Sequence, residues 1–232
     1  MNYLSQNLDY WRGSYHAPNV ESFIFRMYGR ILVHDYGIDG SGGEKLFDFG
    51  MGQGAALNFF NSKGFNVFGA DIAENDLVYA KKLMPEKANQ FRLISPQPDP
   101  DLIFFPDIMI PPDDGFDIVI SIQTLDFLSN TDFDKAITCI YNNMKPGGKI
   151  YASMNGWQMY YRDFATPAGD GLWHVKFDNG RVNYDIMLNF VDGKDEMREK
   201  FKLFKPVYLD HYDSSFREEG SEFRYTFFGV KE

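Results

Sequence analysis

From residue 45 onward, short apolar runs alternate with stretches of helical character, and that alternation admits few folds. "KLFDF" reads as a strand, followed by a helix from about Ala55 to Ser62 that Gly64 closes. "NVFGAD" is a second strand, and "NDLVYAKKLM" is the helix after it. "LIFFPD", "FDIVIS" and "KIYASM" read as the third, fourth and fifth strands. Strands separated by helices pair in parallel and carry helices on both faces, so the rhythm predicts an α/β, doubly wound, mostly parallel sheet.

On either side of this core the pattern differs. Asn19 to Tyr36 reads as an amphipathic helix, with Asn19 as N-cap, Val20, Phe23, Met27 and Ile31 on one face, and Gly37 at its end. "SPQPDP" (95–100) reads as an irregular loop, and Thr131 to Asp134 as a capped helix start. "KPGG" (145–148) reads as the turn that stops this helix. After Asn155 come a hairpin, a helix around Met197, Phe201 and Phe204, and two strands, "VYLDHY" and "FRYTFFGV". No linker interrupts the chain, so residues 1–232 read as one domain with parts 1–44, 45–154, 155–192 (a hairpin insertion after the fifth strand) and 193–232.

Composition narrows the partners. A formal charge of −10 argues against nucleic acid, whose binding needs clustered Lys and Arg. No apolar run approaches the roughly 18 residues that span a bilayer, which argues against a membrane partner. The single cysteine, Cys139, gives no disulfide framework and fits a reducing, cytoplasmic compartment. It lies on a helical apolar stripe, where packing accounts for it. No metal-ligand spacing is present, so no metal is expected.

The most informative stretch is "KLFDFGMGQGAALNFF", where Gly50, Gly52 and Gly54 stand on alternate positions between strand and helix. Glycine accepts positive φ and holds nothing between backbone and ligand, so a ligand can approach the free N–H groups of the helix. Asp71 follows Gly50 by about 20 positions and ends the second strand, where a carboxylate can accept both hydroxyls of a ribose. "GMGQGA" also fits a dinucleotide pattern. Asp48, two residues before the first glycine, would repel a pyrophosphate and attract a cationic amino group.

With "FDFGMGQG", the acidic "AD" at 70–71, "FPDI" before "GFDIVISIQTLDFL", and "MKPGGKI", the sequence resembles the class I S-adenosylmethionine-dependent methyltransferases. The resemblance is to the small-molecule, methyltransferase type 11-like branch, and it covers roughly residues 45 to 154. It implies a Rossmann-like sheet with an antiparallel C-terminal strand, a donor-binding core at 45–154 and a helical lid at 1–44. S-adenosyl-L-methionine would be the cofactor. Asp48, Gly50, Gly52 and Gly54 would hold its methionine part, Asp71 its ribose and Ile72 the adenine. Asp107 would accept from the adenine amino group with Ile108 beside the ring, Ser121 would offer a carbonyl to the donor's amino group, and Arg12 would pair with the donor's carboxylate. "SIQT" after the fourth strand replaces the N/D-P-P-Y/F signature of nucleic-acid and glutamine N-methyltransferases. The expected acceptor is therefore a small molecule methylated at oxygen or nitrogen. The alternatives are an NAD-dependent oxidoreductase and a donor-binding protein without turnover.

Asn179-Gly180 signals a two-residue hairpin turn, which sets His174 opposite Asp185 on a polar face. A carboxylate beside an imidazole raises its basicity, so His174 and Asp185 are the expected catalytic pair, on a hairpin over the donor site.

Overall fold

The computed structural model describes residues 3–13, 19–94, 114–178, 180, 183–215 and 220–232. The expected third strand "LIFFPD", with Asp107 and Ile108, lies outside them, as do Asn179, Arg181 and Val182. Strands β1 (Lys45–Phe49), β2 (Asn66–Asp71) and β4 (Phe116–Ser121) fall where the apolar runs predict. β3, a strand the apolar runs do not predict, is the short Phe91–Leu93, parallel to β2. β5 (Met144–Gly156) takes in the "KPGG" segment read as a turn, absorbing it by a register shift against β4. β10 (Arg224–Val230) runs antiparallel between β5 and β9 (Lys205–Tyr212).

The sheet order β3-β2-β1-β4-β5 reverses direction between β1 and β4, and there a ligand crevice opens at the carboxyl ends. Alternation along β1 feeds both faces. Phe47 and Phe49 pack with α5 (Asn130–Asn142) and α6 (Lys194–Lys200), while Leu46 packs with α3 (Ala55–Ser62) and α4 (Glu74–Leu83). α5 starts earlier than Thr131, because Ser129 is the residue whose side chain accepts from the Asp132 N–H.

The helix expected from Asn19 begins only at Ser22. It is α-helical as α2 (Ser22–Arg26) and then continues as a π-helix over Met27–Asp35. The wider winding moves the next buried position after Met27 from Ile31 to Leu32, which is fully buried while Ile31 is only partly buried.

α1 (Tyr3–Gly13) docks on the hairpin of β7 (Leu172–Asp178) and β8 (Asn183–Val191). Asn7 is buried, and its amide completes both hydrogen bonds of the Met187 backbone, accepting from its N–H at 2.8 Å and donating to its carbonyl at 3.1 Å. β8 also pairs parallel with the end of β5, so the hairpin extends the sheet.

One ion pair is buried near the crevice. Arg224 Nη1 lies 3.3 Å from Asp126 Oδ2, while Asp126 Oδ1 and Arg224 Nε have no hydrogen-bond partner. Burial raises the Asp126 pKa, opposed by the Arg224 charge. Removing one member leaves the other uncompensated. Arg224→Met is expected to cost about 3–5 kcal/mol in urea unfolding, and the double variant Asp126→Leu/Arg224→Met distinctly less.

Candidate donor and acceptor cavity

A cavity of about 460 Å³ opens at the strand reversal. Asp48, Gly50, Gly52, Asp71 and Ile72 line it, as do Ile122, Gln123 and Thr124 after β4. Leu4, Asn7 and Trp11 of α1 form part of its wall. A volume of this size encloses a metabolite-sized ligand.

The glycines divide the work. Gly50 has φ +81°, and a Cβ there would stand 2.1 Å from Thr124 Oγ1, so this glycine lets the β4 loop close against β1. Gly52 has φ +49°, and a Cβ there would meet nothing within 4 Å. That free space belongs to the cavity side, where backbone can approach a ligand. Gly54, in the left-handed conformation, is the N-cap of α3.

Asp71 fastens this loop. Its two oxygens accept the N–H groups of Gly52 and Ala73, each at 2.8 Å. Burial raises its pKa to about 6, with the two N–H groups pulling the other way. One lone pair on each oxygen is left for a diol. Asp48 is buried more completely, and its pKa is raised well above the carboxylate range by burial and by the Asp71 charge. Among the described residues none donates a hydrogen bond to it. A buried carboxylate that lines a cavity without a donor suits a cationic ligand group.

Other expected site residues are placed differently. Ser121 is fully buried, and its hydroxyl donates to the Phe49 carbonyl at 3.0 Å, so Ile122 to Thr124 form the wall in its stead. Arg12 is exposed beside Asp9 at 3.9 Å and does not line the cavity, because the α1 stripe of Leu4, Asn7 and Trp11 turns it outward. His174 and Asp185 do pair, at 2.6 Å, although not as direct neighbours. The ladder closes at Asp178 opposite Asn183, so the connection takes four positions, Asp185 faces Lys176, and His174 faces Met187. The pair touches Gln6 of α1 and does not line the cavity. Its observed contacts are those of a dock for α1, and among the described residues no hairpin residue lines the cavity.

Sequence reading missed Glu21. It stands at the N-cap of α2 yet makes no capping bond. Instead it lines the cavity and accepts from Gln123 Nε2 at 3.4 Å. Burial raises its pKa, the nearby Glu222 charge adds to the rise, and Arg224 opposes it. An acid just before a helix ordinarily reads as a complement to the helix dipole, which hides such a role.

Comparison with known proteins bears on the domain and the fold. Residues 47–152 match the family described as methyltransferase domain. No curated protein sequence gives a significant match. The fold is similar to that of a SAM-dependent methyltransferase from Methanosarcina mazei, with TM-score 0.67 and 16% identity over 87% of this chain and 97% of that one. It is also similar to an S-adenosylmethionine-dependent methyltransferase from Mesorhizobium loti, with TM-score 0.58 and 15% identity over 83% and 93%. A third similar structure is 1,6-didemethyltoxoflavin-N1-methyltransferase from Burkholderia thailandensis, holding its substrate and S-adenosylhomocysteine, with TM-score 0.58 and 16% identity over 90% and 78%.

The buried charge at Asp48 gives a stability prediction. A carboxyl whose folded pKa is raised contributes stability at low pH that is lost as pH rises through the raised value. Asp48→Asn should therefore raise the Tm of the ligand-free protein at neutral pH, by roughly 2–4 °C for each kcal/mol relieved. The gain should shrink as the solution is acidified, as differential scanning calorimetry across pH would measure.

Proposed function

We propose that the chain, whose residues 47–152 match the methyltransferase domain family, is a class I S-adenosylmethionine-dependent methyltransferase and that it methylates oxygen or nitrogen of a small-molecule acceptor. The observation that carries this reading is the wall beside the donor cradle: α1 supplies Leu4, Asn7 and Trp11 to the same cavity as the glycine loop, which narrows the approach to it. The residues present fit the donor. Gly52 offers open backbone, Asp71 two acceptor oxygens for a diol, and Asp48 a buried carboxylate for an amino group.

When bound, S-adenosylmethionine supplies an electrophilic methyl on a sulfonium. The chain's task is then to hold the acceptor atom in line and to keep water out. Such positioning is worth about 7–11 kcal/mol, against a further 10²–10⁴-fold or so from a general base. Asn7, Asn19, Glu21 and Gln123 give the cavity polar groups able to orient an acceptor, while Leu4, Trp11, Phe127 and Leu128 give it apolar wall. A nicotinamide dinucleotide suits the site less well, because its pyrophosphate would sit near the buried Asp48. No helix among the described residues is long and apolar enough to cross a membrane.

Titration calorimetry is expected to find S-adenosylhomocysteine binding and no heat with NAD. The opposite result overturns the reading. Asp71→Ala should weaken the nucleoside by at least about tenfold, the loss of a charge-assisted pair of hydrogen bonds. In the wild type the affinity should fall as pH drops through about 6, where Asp71 takes up a proton and ceases to accept from hydroxyls.

A further inference from the structure

Four carboxylates line the cavity, Glu21, Asp48, Asp71 and Asp76, and among the described residues that line it there is no Lys, Arg or His. Asp48 and Asp71 belong to the donor cradle, and Asp76 accepts from Gln53 Nε2 at 3.1 Å. Glu21 is left over. Its partner Gln123 follows β4, whereas Asp71 ends β2, and β1 lies between these strands. Two strand spacings, about 10 Å, therefore separate the β4 end that carries Gln123 from the β2 end that carries Asp71. Gln123 is held at φ +55°, an unusual conformation for a residue with a side chain, and its N–H donates to Ser153 Oγ at 2.9 Å. This left-handed kink accompanies a Gln123 side chain that bonds Glu21. Strain of this kind clusters at functional sites.

The walls around this station are apolar and aromatic. Trp11 packs edge-on against Phe127 with ring centroids 5.1 Å apart, and both line the cavity with Leu4 and Leu128. The described residues that line the cavity offer an anionic acceptor no cation, the nearby Arg224 charge being engaged with Asp126 and Glu21, and burial makes an unpaired anion costly. A basic nitrogen on a flat apolar group meets both the charge and the surface. Resting on the methyl-donor reading above, we propose that the acceptor is an amine carried on an aromatic or apolar group, recognised by Glu21, which takes the proton that the nitrogen sheds. Bound as its ammonium, the acceptor first gives one proton to the Glu21 carboxylate; the lone pair so freed forms the new N–C bond, the electrons of the breaking C–S bond stay on sulfur, and the product leaves as the methylated ammonium while Glu21 returns its proton to water. Burial holds the Glu21 pKa above its ordinary value, which makes it the better proton acceptor, with Arg224 and Glu222 the charged groups that bear on it.

The test uses the full-length protein saturated with S-adenosylhomocysteine. Phenethylamine and tryptamine, and the matched carboxylates 3-phenylpropionate and indole-3-propionate, are titrated calorimetrically and then offered as acceptors with labelled S-adenosylmethionine. At least one amine is expected to bind and to be methylated. Glu21→Gln should weaken its binding tenfold or more and depress turnover, Glu21→Asp should retain part of both, and the S-adenosylhomocysteine affinity of both variants should stay within twofold of wild type. Binding of no amine, preference for a carboxylate, or equal amine binding by Glu21→Gln overturns the proposal, as does a loss confined to S-adenosylhomocysteine, which would move Glu21 to the donor side. If wild type binds amines but not S-adenosylhomocysteine, the donor reading fails instead.

Discussion

Two buried carboxylates at neighbouring strand ends, Asp48 and Asp71, set the terms for the rest of this structure. Neither belongs in an interior unless something repays its desolvation. Asp71 is repaid in part by the N–H groups of Gly52 and Ala73, and in making those bonds it fixes the shape of the glycine loop. Asp48 has no such donor among the described residues, so the ligand-free site carries stored electrostatic cost that a cation can discharge. The surrounding elements serve to keep that site dry and shaped: Ser121 ties β4 to β1, Thr124 packs on Gly50, and α1 walls the cavity.

The parts of the fold that could be read from the residues are those written in apolar runs. β1, β2 and β4 are buried strands bracketed by glycine or acid, and each falls where its run does. β3 could not be seen, because three residues of graded burial leave no period to read. The π winding after α2 escaped for a related reason: a 3.6-residue period predicts Ile31, and only the wider turn selects Leu32. In the hairpin, a shift of two left every side chain on its predicted face, so the pattern was right and the partner list wrong.

The site divides along the same line. Residues that act through backbone geometry, Gly50, Gly52 and Asp71, follow from spacing. Residues that act through tertiary placement do not. Glu21 sits where an acid is unremarked in a sequence, and only the approach of the β4 loop gives it a partner in Gln123. Conversely His174 and Asp185 do form the pair their chemistry suggests, yet α1 claims them through Gln6.

The position of β10 between β5 and β9 has a consequence for how the molecule is made. β5 is synthesised well before the strand that covers its outer edge, and β9 has no other partner in the sheet. While the nascent chain is still emerging, the buried C-terminal half of β5 presents open backbone groups and apolar surface to its surroundings. That edge is an aggregation-prone template until Arg224 to Val230 pair with it.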